Sequence, residues 1–352
     1  MGDRSKVAKA AGAAGMQAGA ALHRIEAAGT TTGEDSNSRE TAHRIQGEAL
    51  YGVSPITAAL AAGRRQLYTL YIQEGLEAGK RKDMGACQAA IAAAQALGVE
   101  TCDVAKHDLN LACGDRPHQG LVLDCEPLRM DTLTALPVPR MQPGQPWPLW
   151  LALDEIQDPQ NLGAILRSAH FLGASGVLCC AKNSAPLSPV VAKASAGALD
   201  AMTLYSCGSM PRFLTSAAEA GWTVVGADVH EGSTDLATFT LSSPTLLVLG
   251  SEGRGLRPLV RQACQQALRI GPPPPPQGSP GMSGVDSLNV SVAAGVMLHH
   301  LLHSRARAGV DSVGAQTGEE PSYNLSGSGV LPLDSVKTEL AGVASEELGA
   351  IA

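Results

Sequence analysis

Residues 246–256, LLVLGSEGRGL, join an apolar run to a turn that contains three glycines. The apolar run bounded by turn residues predicts a buried strand, and the residues after the turn predict the start of a helix. Gly250, Gly253 and Gly255 let the backbone approach a ligand closely, and free amides at a helix start favour a polar or anionic group. The glycine spacing, G-x-x-G-x-G, differs from the dinucleotide-binding spacing G-x-G-x-x-G. The stretch therefore predicts either a ligand-binding turn or a plain tight turn in an α/β domain.

Strand-like and helix-like segments alternate on both sides of this stretch. Strands are predicted at Leu149–Leu153, Gly176–Cys180, 222–227 and Thr245–Leu249, and helices at 162–172, 190–199, 210–220, 256–267 and 288–304. Such alternation predicts a parallel sheet covered by helices on both faces, within a domain at 149–307. Polar residues and glycines follow the strand ends, which is where open α/β sheets bind ligands.

Residues 46–130 predict a smaller α/β unit. Ser54 is expected to cap its first helix, with Pro55 in the first turn. Further elements are expected at 67–72, 99–104 and 120–124 as strands and at 84–97 as a helix. Prolines recur over 131–148, which predicts a linker between the two domains.

The two ends of the chain have biased compositions. Residues 1–45 are rich in Ala, Gly, Ser and Thr and carry several basic residues, which is compatible with an organelle transit peptide or with a disordered leader. Residues 308–352 predict a disordered acidic tail. From 309 to 352 there are seven acidic residues and one basic residue, so most of the chain's net charge of −7 lies there. The remaining body is nearly neutral, which neither favours nor excludes RNA as a partner.

Composition also restricts the function. No run of 18 apolar residues is present, so no membrane-spanning helix is predicted. The eight cysteines form neither a CxxC pair nor a Cys/His set with zinc-ligand spacing. We therefore expect reduced, structural cysteines and no bound metal.

A polar segment, DEIQDPQNLGAILR at residues 154–167, follows the first strand of the larger domain. Asn161 can be a helix N-cap and Arg167 a solvated helix residue. Alternatively, both can lie over a pocket, because six positions are nearly two helical turns and we expect the two side chains on one side of the sheet edge.

A third segment brings Leu268-Arg269-Ile270, a proline-rich insert at 272–280 and then Ser287-Leu288-Asn289 before the last helix. Either Ser287 or Asn289 can cap that helix. Two polar side chains beside an apolar face also suit a substrate pocket.

Taken in order, the three segments closely resemble the signature motifs of the SpoU family of RNA ribose methyltransferases, within the SPOUT class, over about 150 residues. The string QDPQNLGAILRSAHFLG at 157–173, with Asn183-Ser184 and Pro189-Val190-Val191, is most similar to family members that modify a guanosine of mitochondrial large-subunit rRNA. The unit at 46–130, with Gly52-Val53 and His118-Gln119-Gly120, resembles the family's ribosomal-protein-like substrate domain.

The resemblance implies a parallel sheet with a C-terminal trefoil knot, a homodimer, S-adenosylmethionine as cofactor, ribosomal RNA as partner and a mitochondrial location. Carried onto this chain, it implies two groups of site residues. The cofactor contacts are Gly250, Ile270 and Leu288, largely through backbone, with Leu249, Ser251 and Gly253 in the same region; the catalytic group is Asn161, Arg167, Glu252, Ser287 and Asn289. One departure is that Ile270 is followed by Gly271 and five prolines, where the family usually has Ile-Pro-Met.

Methyl transfer to a ribose 2′-hydroxyl mainly requires alignment and removal of a proton. The resemblance implies that Arg167 accepts this proton, but a guanidinium group keeps its proton in proteins. We therefore expect Arg167 to bind a substrate phosphate and stabilise the developing alkoxide, and to act as a base only if its environment strongly lowers its pKa. Asn161 is expected to orient Arg167 or the ribose, and Glu252 to hold the loop.

Basic residues of the smaller unit, Arg64, Arg65 and Lys80-Arg81-Lys82, are either RNA contacts or ordinary solvated surface. Two other functions remain open at this point: the same chemistry on tRNA, and a non-catalytic RNA-binding factor in ribosome assembly. The intact polar set, Asn161, Arg167, Glu252 and Asn289, argues against the non-catalytic alternative. The additional N-terminal unit favours rRNA over tRNA by analogy.

Overall fold

The computed structural model describes residues 45–76, 84–139, 143–271 and 287–304, which fall within one continuous unit. The predicted leader (except Ile45), the Lys80-Arg81-Lys82 cluster, the proline insert and the acidic tail lie outside the described residues. All eight cysteines are described, and all are free thiols. Among the described residues, no helix has the length and apolarity needed to span a membrane.

The N-terminal part is a four-stranded sheet with three helices. Its elements are β1 (Glu48–Tyr51), α1 (Val53–Ala62), β2 (Leu67–Gln73), α2 (Met84–Ala96), β3 (Glu100–Val104), α3 (Lys106–Cys113) and β4 (Leu121–Cys125). The strand order is β1-β4-β2-β3, with β4 antiparallel to both neighbours and β2 parallel to β3. Ile56, Leu70, Leu121 and Leu123 are fully buried in its core. The predicted Ser54 cap was wrong: α1 begins at Val53, two residues earlier than that cap implies, and Gly52 is its N-cap.

The remaining described residues form an eight-stranded sheet and six helices. Its elements are β5 (Asp131–Thr132), β6 (Leu149–Leu153), α4 (Pro159–Leu172), β7 (Gly176–Cys180), α5 (Pro189–Ala194), α6 (Ala198–Ala201), β8 (Leu204–Cys207), α7 (Met210–Glu219), β9 (Thr223–Ala227), β10 (Thr234–Asp235), β11 (Thr245–Leu249), α8 (Pro258–Ala263), β12 (Gln266–Arg269) and α9 (Val290–His303). The order is β10-β12-β9-β11-β6-β7-β8-β5, and every described pair is parallel. The predicted parallel α/β sheet is confirmed.

The central strands are buried on both faces, which explains their uninterrupted apolar sequences. Leu151 and Leu249 face one layer of helices, with Leu166 of α4 and Leu298 of α9. The alternate residues face the opposite layer; among them is Trp150, which packs with helices α7 and α8. A shift of one residue in register would move every side chain of such a strand to the opposite face, so packing on both faces fixes the register.

Two helix predictions were wrong. The segment 190–199 forms the short helices α5 and α6, because Ala196 and Gly197 have positive φ values of 52° and 93°. A β-carbon at Gly197 would lie 2.5 Å from the β-carbon of Ala58, so the break lets α1 approach closely. The segment 256–267 ends its helix at Ala263, and the next residues form β12 because their backbone pairs with β9.

The segment predicted as a linker is partly packed on the larger sheet. Strand β5 pairs with β8, and Leu133 and Leu136 are buried among residues of α7. The indole nitrogen of Trp222 donates to the carbonyl of Pro137 over 2.9 Å. The sequence analysis also missed α3 and the strands β1, β8 and β10.

Arg65 lies at the junction of the two sheets, where its side chain is fully buried. Its guanidinium group donates to both carboxylate oxygens of Asp200, at 2.5 Å and 3.2 Å, and to Glu48 at 2.5 Å. Burial alone would lower the pKa of Arg65, but the hydrogen bonds and charge of Asp200 raise it overall. The neighbouring Arg64 donates to carbonyls of the α6 region, including Asp200. The suggestion that Arg65 grips RNA is therefore wrong, and its charge is neutralised inside the fold.

We expect Arg65→Ala to lower the free energy of unfolding by about 3–5 kcal/mol, because it leaves Asp200 buried and unpaired. Urea denaturation measures this change. The control is Arg116→Ala, since Arg116 is exposed and its guanidinium group donates to the Tyr51 hydroxyl over a long 3.5 Å; it should change stability by less than about 0.5 kcal/mol. Equal losses in the two variants would show that the junction does not depend on the buried pair.

Candidate functional site

The order of strands changes direction between β6 and β11. From β6 the chain continues through β7 and β8 on one side, and then crosses to β9 and β11 on the other. The order of strands therefore reverses between β6 and β11, and open α/β sheets bind ligands outside the strand ends at such a reversal. Asp154 follows β6 here, and Gly250 follows β11.

The glycine-containing segment after β11 is a tight turn closed by backbone pairing. Ser251 and Gly255 exchange two backbone hydrogen bonds, at 3.2 Å and 2.9 Å. A β-carbon at Gly250 would lie 2.2 Å from the carbonyl carbon of Gly255, so only glycine fits there. Gly253 and Gly255 have φ values of 75° and 63°, in the left-handed region. The turn leaves Glu252 exposed at its tip.

Asn289 joins this turn to two other segments. Its side-chain amide nitrogen donates to the Asn161 carbonyl oxygen over 3.1 Å and to the Glu252 carboxylate. Its own carbonyl oxygen accepts from the backbone of Ser291 at 2.9 Å and so caps α9. The predicted capping role of Asn289 is confirmed, and the same side chain also bonds Asn161 and Glu252. Three distant segments thus meet at one polar cluster of Asn161, Glu252 and Asn289.

Arg167 does not join this cluster. It is exposed on α4, whereas Asn161 is buried in the first turn of the same helix. The expectation that both face one side was wrong, because six positions rotate a side chain by about 120° and advance it by about 9 Å. Arg167 has no hydrogen bond or ion pair with another described residue. It is free to bind an anion outside the cluster.

The other predicted cofactor residues are spread along the same sheet edge. Ile270 follows β12, and Gly250 follows β11, with one strand, β9, between them. That separation corresponds to about 10 Å. Leu288 is exposed, and so is Ser287, which precedes it. Leu249 is buried in the core, and its carbonyl accepts from the backbone of Asp154 at 2.8 Å.

A cavity of about 530 Å³ lies beside Ile270. Its walls include Leu236, Ile270 and Val296, with the Asp235 carboxylate and His299 among the polar groups. An apolar wall with few polar groups suits a nucleoside-sized ligand, so the residues fit the adenosyl part of S-adenosylmethionine. The sequence analysis missed Asp235, Leu236 and His299. In the sequence, these residues could have been found only by their positions, Asp235 and Leu236 after the strand β9 and His299 on the last helix.

Within the described ranges, no group of three or more His, Cys, Asp or Glu side chains is arranged to hold a metal ion. Burial raises the pKa of the Cys180 thiol, near this strand edge, to about 12. This thiol is therefore a poor nucleophile at neutral pH.

Comparison with known proteins agrees with this geometry. Residues 148–299 match the SpoU rRNA Methylase family, and residues 49–130 match the region described as RNA 2′-O ribose methyltransferase substrate binding. The chain is 38% identical to a human protein named rRNA methyltransferase 1, mitochondrial, over 73% of each chain. It is 33% identical to a 23S rRNA (guanosine-2′-O-)-methyltransferase of Coxiella burnetii, over 73% of this chain and 96% of that one.

Among solved structures, an AdoMet-bound rRNA methyltransferase from Sinorhizobium meliloti is similar, with a TM-score of 0.53 and 25% sequence identity. The similarity covers 72% of this chain and 85% of that one. The motifs, the fold and these relatives agree. The chain belongs to the SpoU rRNA methylase family, and its cofactor is S-adenosylmethionine.

Proposed function

We propose that the chain transfers a methyl group from S-adenosylmethionine to the ribose 2′-hydroxyl of a guanosine in mitochondrial large-subunit rRNA. The observation that carries the proposal is the hydrogen-bonded cluster of Asn161, Glu252 and Asn289 at the strand reversal. Each member comes from a different motif, and the hydrogen bonds of Asn289 join it to residues 37 and 128 positions away in the chain. The names of the human and Coxiella relatives support rRNA, guanosine and, for the human protein, mitochondria.

The cofactor would lie along the edge from β11 to β12. The backbone of Gly250 and Gly253 would offer polar groups at one end, where the pairing of Ser251 with Gly255 holds the turn, and Ile270 with its cavity would offer an apolar wall at the other. Leu288, exposed just before Asn289, would cover it. Leu249 contributes only through its backbone, because its side chain is in the core. When bound, the cofactor supplies a methyl group made electrophilic by the sulfonium.

The chain's own groups align the ribose and neutralise charge. The amides of Asn161 and Asn289, fixed by Glu252, would position the ribose hydroxyls beside the turn, with the exposed Ser287 next to them. Arg167 would bind a substrate phosphate and stabilise the negative charge that develops on the 2′-oxygen as its proton leaves. Positioning of this kind supplies several kcal/mol of barrier reduction.

The substrate-binding role of residues 46–130 and the catalytic role of residues 149–307 are part of the same proposal. The trefoil knot is another part. It is supported by the strand order, in which β12 lies far from β6 while α9 returns to pack on α4, beneath β6. The connection between β12 and α9 lies largely outside the described residues.

A homodimer is proposed through α4 and α9. Phe171 is 83% exposed and Val292 is 52% exposed, which is unusual for apolar residues on two helices that pack together. A β-carbon added at Gly295 would lie 3.8 Å from the Ser168 hydroxyl, so α9 and α4 approach each other closely at these positions. Arg167 and Phe171 are four positions apart on α4 and share a face. A second copy seated on this apolar face would also enclose Arg167.

The direct test of the proposed activity uses radiolabelled S-adenosylmethionine with deproteinised mitochondrial large-subunit rRNA. Wild type should place one label that resists alkaline cleavage at a guanosine, whereas Asn289→Ala and Arg167→Ala should lose at least about 100-fold in kcat/KM. Arg212→Ala, an exposed arginine on α7, is the control. Label on tRNA but not on rRNA would contradict the substrate assignment, and cofactor binding without any transfer would favour the assembly-factor function.

Gly250→Ala should abolish tight cofactor binding, because the new methyl group meets the backbone of Gly255 and forces the turn open. Isothermal titration should show at least about a tenfold weaker Kd for S-adenosylmethionine, equivalent to about 1.4 kcal/mol. Gly85→Ala adds a methyl group into open space in α2 and serves as the control. An unchanged Kd for Gly250→Ala would separate this turn from the cofactor.

Phe171→Glu combined with Val292→Glu should convert the dimer to a 36.1 kDa monomer, because it buries charge in the apolar face. Light scattering after size exclusion measures the mass. Leu111→Glu changes an apolar residue that is 53% exposed on α3 and should remain dimeric. A wild-type monomer at micromolar concentration would rule out the proposed assembly.

A further inference from the structure

An ion pair between a buried carboxylate and a partly exposed guanidinium group lies directly behind the glycine turn. The Asp154 side chain is fully buried at the end of β6. The Arg257 Nε atom donates to both of its oxygens, at 3.0 Å and 3.1 Å, and Nη2 donates to Oδ1 at 2.5 Å. The backbone amide of Arg257 adds a longer contact of 3.4 Å, and the Cys180 thiol donates to Oδ1 at 3.3 Å. Every hydrogen bond to this carboxylate comes from the strand edge or from the turn.

The pair connects both ends of the turn to the same strand. At the first end, the backbone amide of Asp154 donates to the Leu249 carbonyl, just before Gly250. At the second end, Arg257 follows Leu256 and immediately precedes α8. Asp154 therefore bonds to the chain at both ends of the turn, just before its first residue and just after its last.

Arg257 also reaches the loop that leads to α4. Its Nη1 atom lies 3.2 Å from the Glu155 carboxylate, and Glu155 in turn accepts from the Asn183 amide at 3.0 Å. Glu155 has a positive φ of 60°, so the chain turns sharply here before it enters α4. One guanidinium group thus joins the turn that carries Glu252 to the loop that precedes Asn161.

We infer that Asp154 and Arg257 are positioning residues for methyl transfer, which hold Glu252 and Asn161 at the spacing that Asn289 bridges. Neither acts by touching the ribose or the methyl group; both act through the turn and the loop. The inference rests on the proposed function, because it takes the cluster of Asn161, Glu252 and Asn289 as the methyl-transfer site.

The shape of the guanidinium group matters here as much as its charge. A planar fork that donates along two directions fixes the angle at which the turn meets the strand, whereas a lysine ammonium is a point charge on a flexible stem. The hydrogen bonds with Asp154 raise the pKa of Arg257, so the fork stays charged across the pH range of an assay. Arg257→Lys therefore keeps the charge and removes the geometry.

The first experiment measures Arg257→Lys by titration with S-adenosylmethionine and by steady-state methyl transfer. We expect the Kd to rise about tenfold and kcat to fall at least about tenfold, since misplacement by about 1 Å at a reacting centre is costly. The matched control is Arg65→Lys, which alters another arginine that is bidentate to a buried aspartate, at the junction of the sheets. It should lower the unfolding midpoint and leave cofactor Kd within about twofold, because distant sites act independently.

The second experiment is chemical rescue. The Arg257 side chain is 42% exposed, so a small cation can enter when it is removed. Arg257→Ala should regain transfer activity with millimolar ethylguanidinium and not with ethylammonium at equal ionic strength. A general loss of folding would not be reversed by either cation, so failure of rescue together with a normal Arg257→Lys enzyme overturns the inference.

Asn289→Ala, assayed beside these variants, distinguishes an error in the proposed methyl-transfer site from an error in the positioning role of Arg257. If Asn289→Ala retains full activity, the proposed methyl-transfer site is wrong. If Asn289→Ala is inactive while Arg257→Lys has wild-type kcat and Kd, the site stands and only the positioning role fails. An equal loss of cofactor affinity in Arg257→Lys and Arg65→Lys would also contradict the positioning role, because it would reflect stability alone.

Discussion

The parallel pairing of β6 with β11 is the constraint on which the site depends. These two strands lie side by side in register from Leu149 and Thr245 to Leu153 and Leu249, although they are nearly 100 residues apart in the chain. Both are buried on both faces, so their register is fixed by the core. Because the strands end together, the segments that follow them begin at one point in space. The polar chemistry of the chain is concentrated in those segments.

The apolar core and the polar cluster thus have different tasks. The core places strand ends, but it cannot orient a side chain beyond the edge of the sheet. Hydrogen bonds do this instead: Asn289 connects Asn161 with Glu252, and the buried carboxylate of Asp154 receives the turn. A buried carboxylate is costly unless it is fully paired. An apolar residue could stabilise this edge equally well, but its contacts would have no fixed direction. The carboxylate of Asp154 instead orients the groups that bond to it.

Much of the larger domain could be predicted from its sequence, because fully buried strands have continuous apolar runs. Leu149–Leu153, Gly176–Cys180 and Thr245–Leu249 were predicted with the bounds that the structure shows. Elements set by tertiary pairing were not predictable. Gln266–Arg269 overlaps the end of a predicted helix and forms a strand only because β9 and β10 offer partners on its two sides. Likewise, nothing local to Arg65 indicates that Asp200 will bury it.

The motifs predicted which residues form the cluster, but spacing alone misjudged how they are arranged. Asn161 and Arg167 belong to one motif, and the helix nonetheless turns them in different directions, one into the fold and one to solvent. The different exposure of Asn161 and Arg167 is consistent with the different roles that the proposed function gives them. An amide that orients the ribose must be held rigidly among other amides, whereas a cation that receives a phosphate must remain open until the RNA arrives. Under the proposed homodimer, a second copy seated over the exposed Phe171 would remove water from Arg167 and strengthen its contact with phosphate.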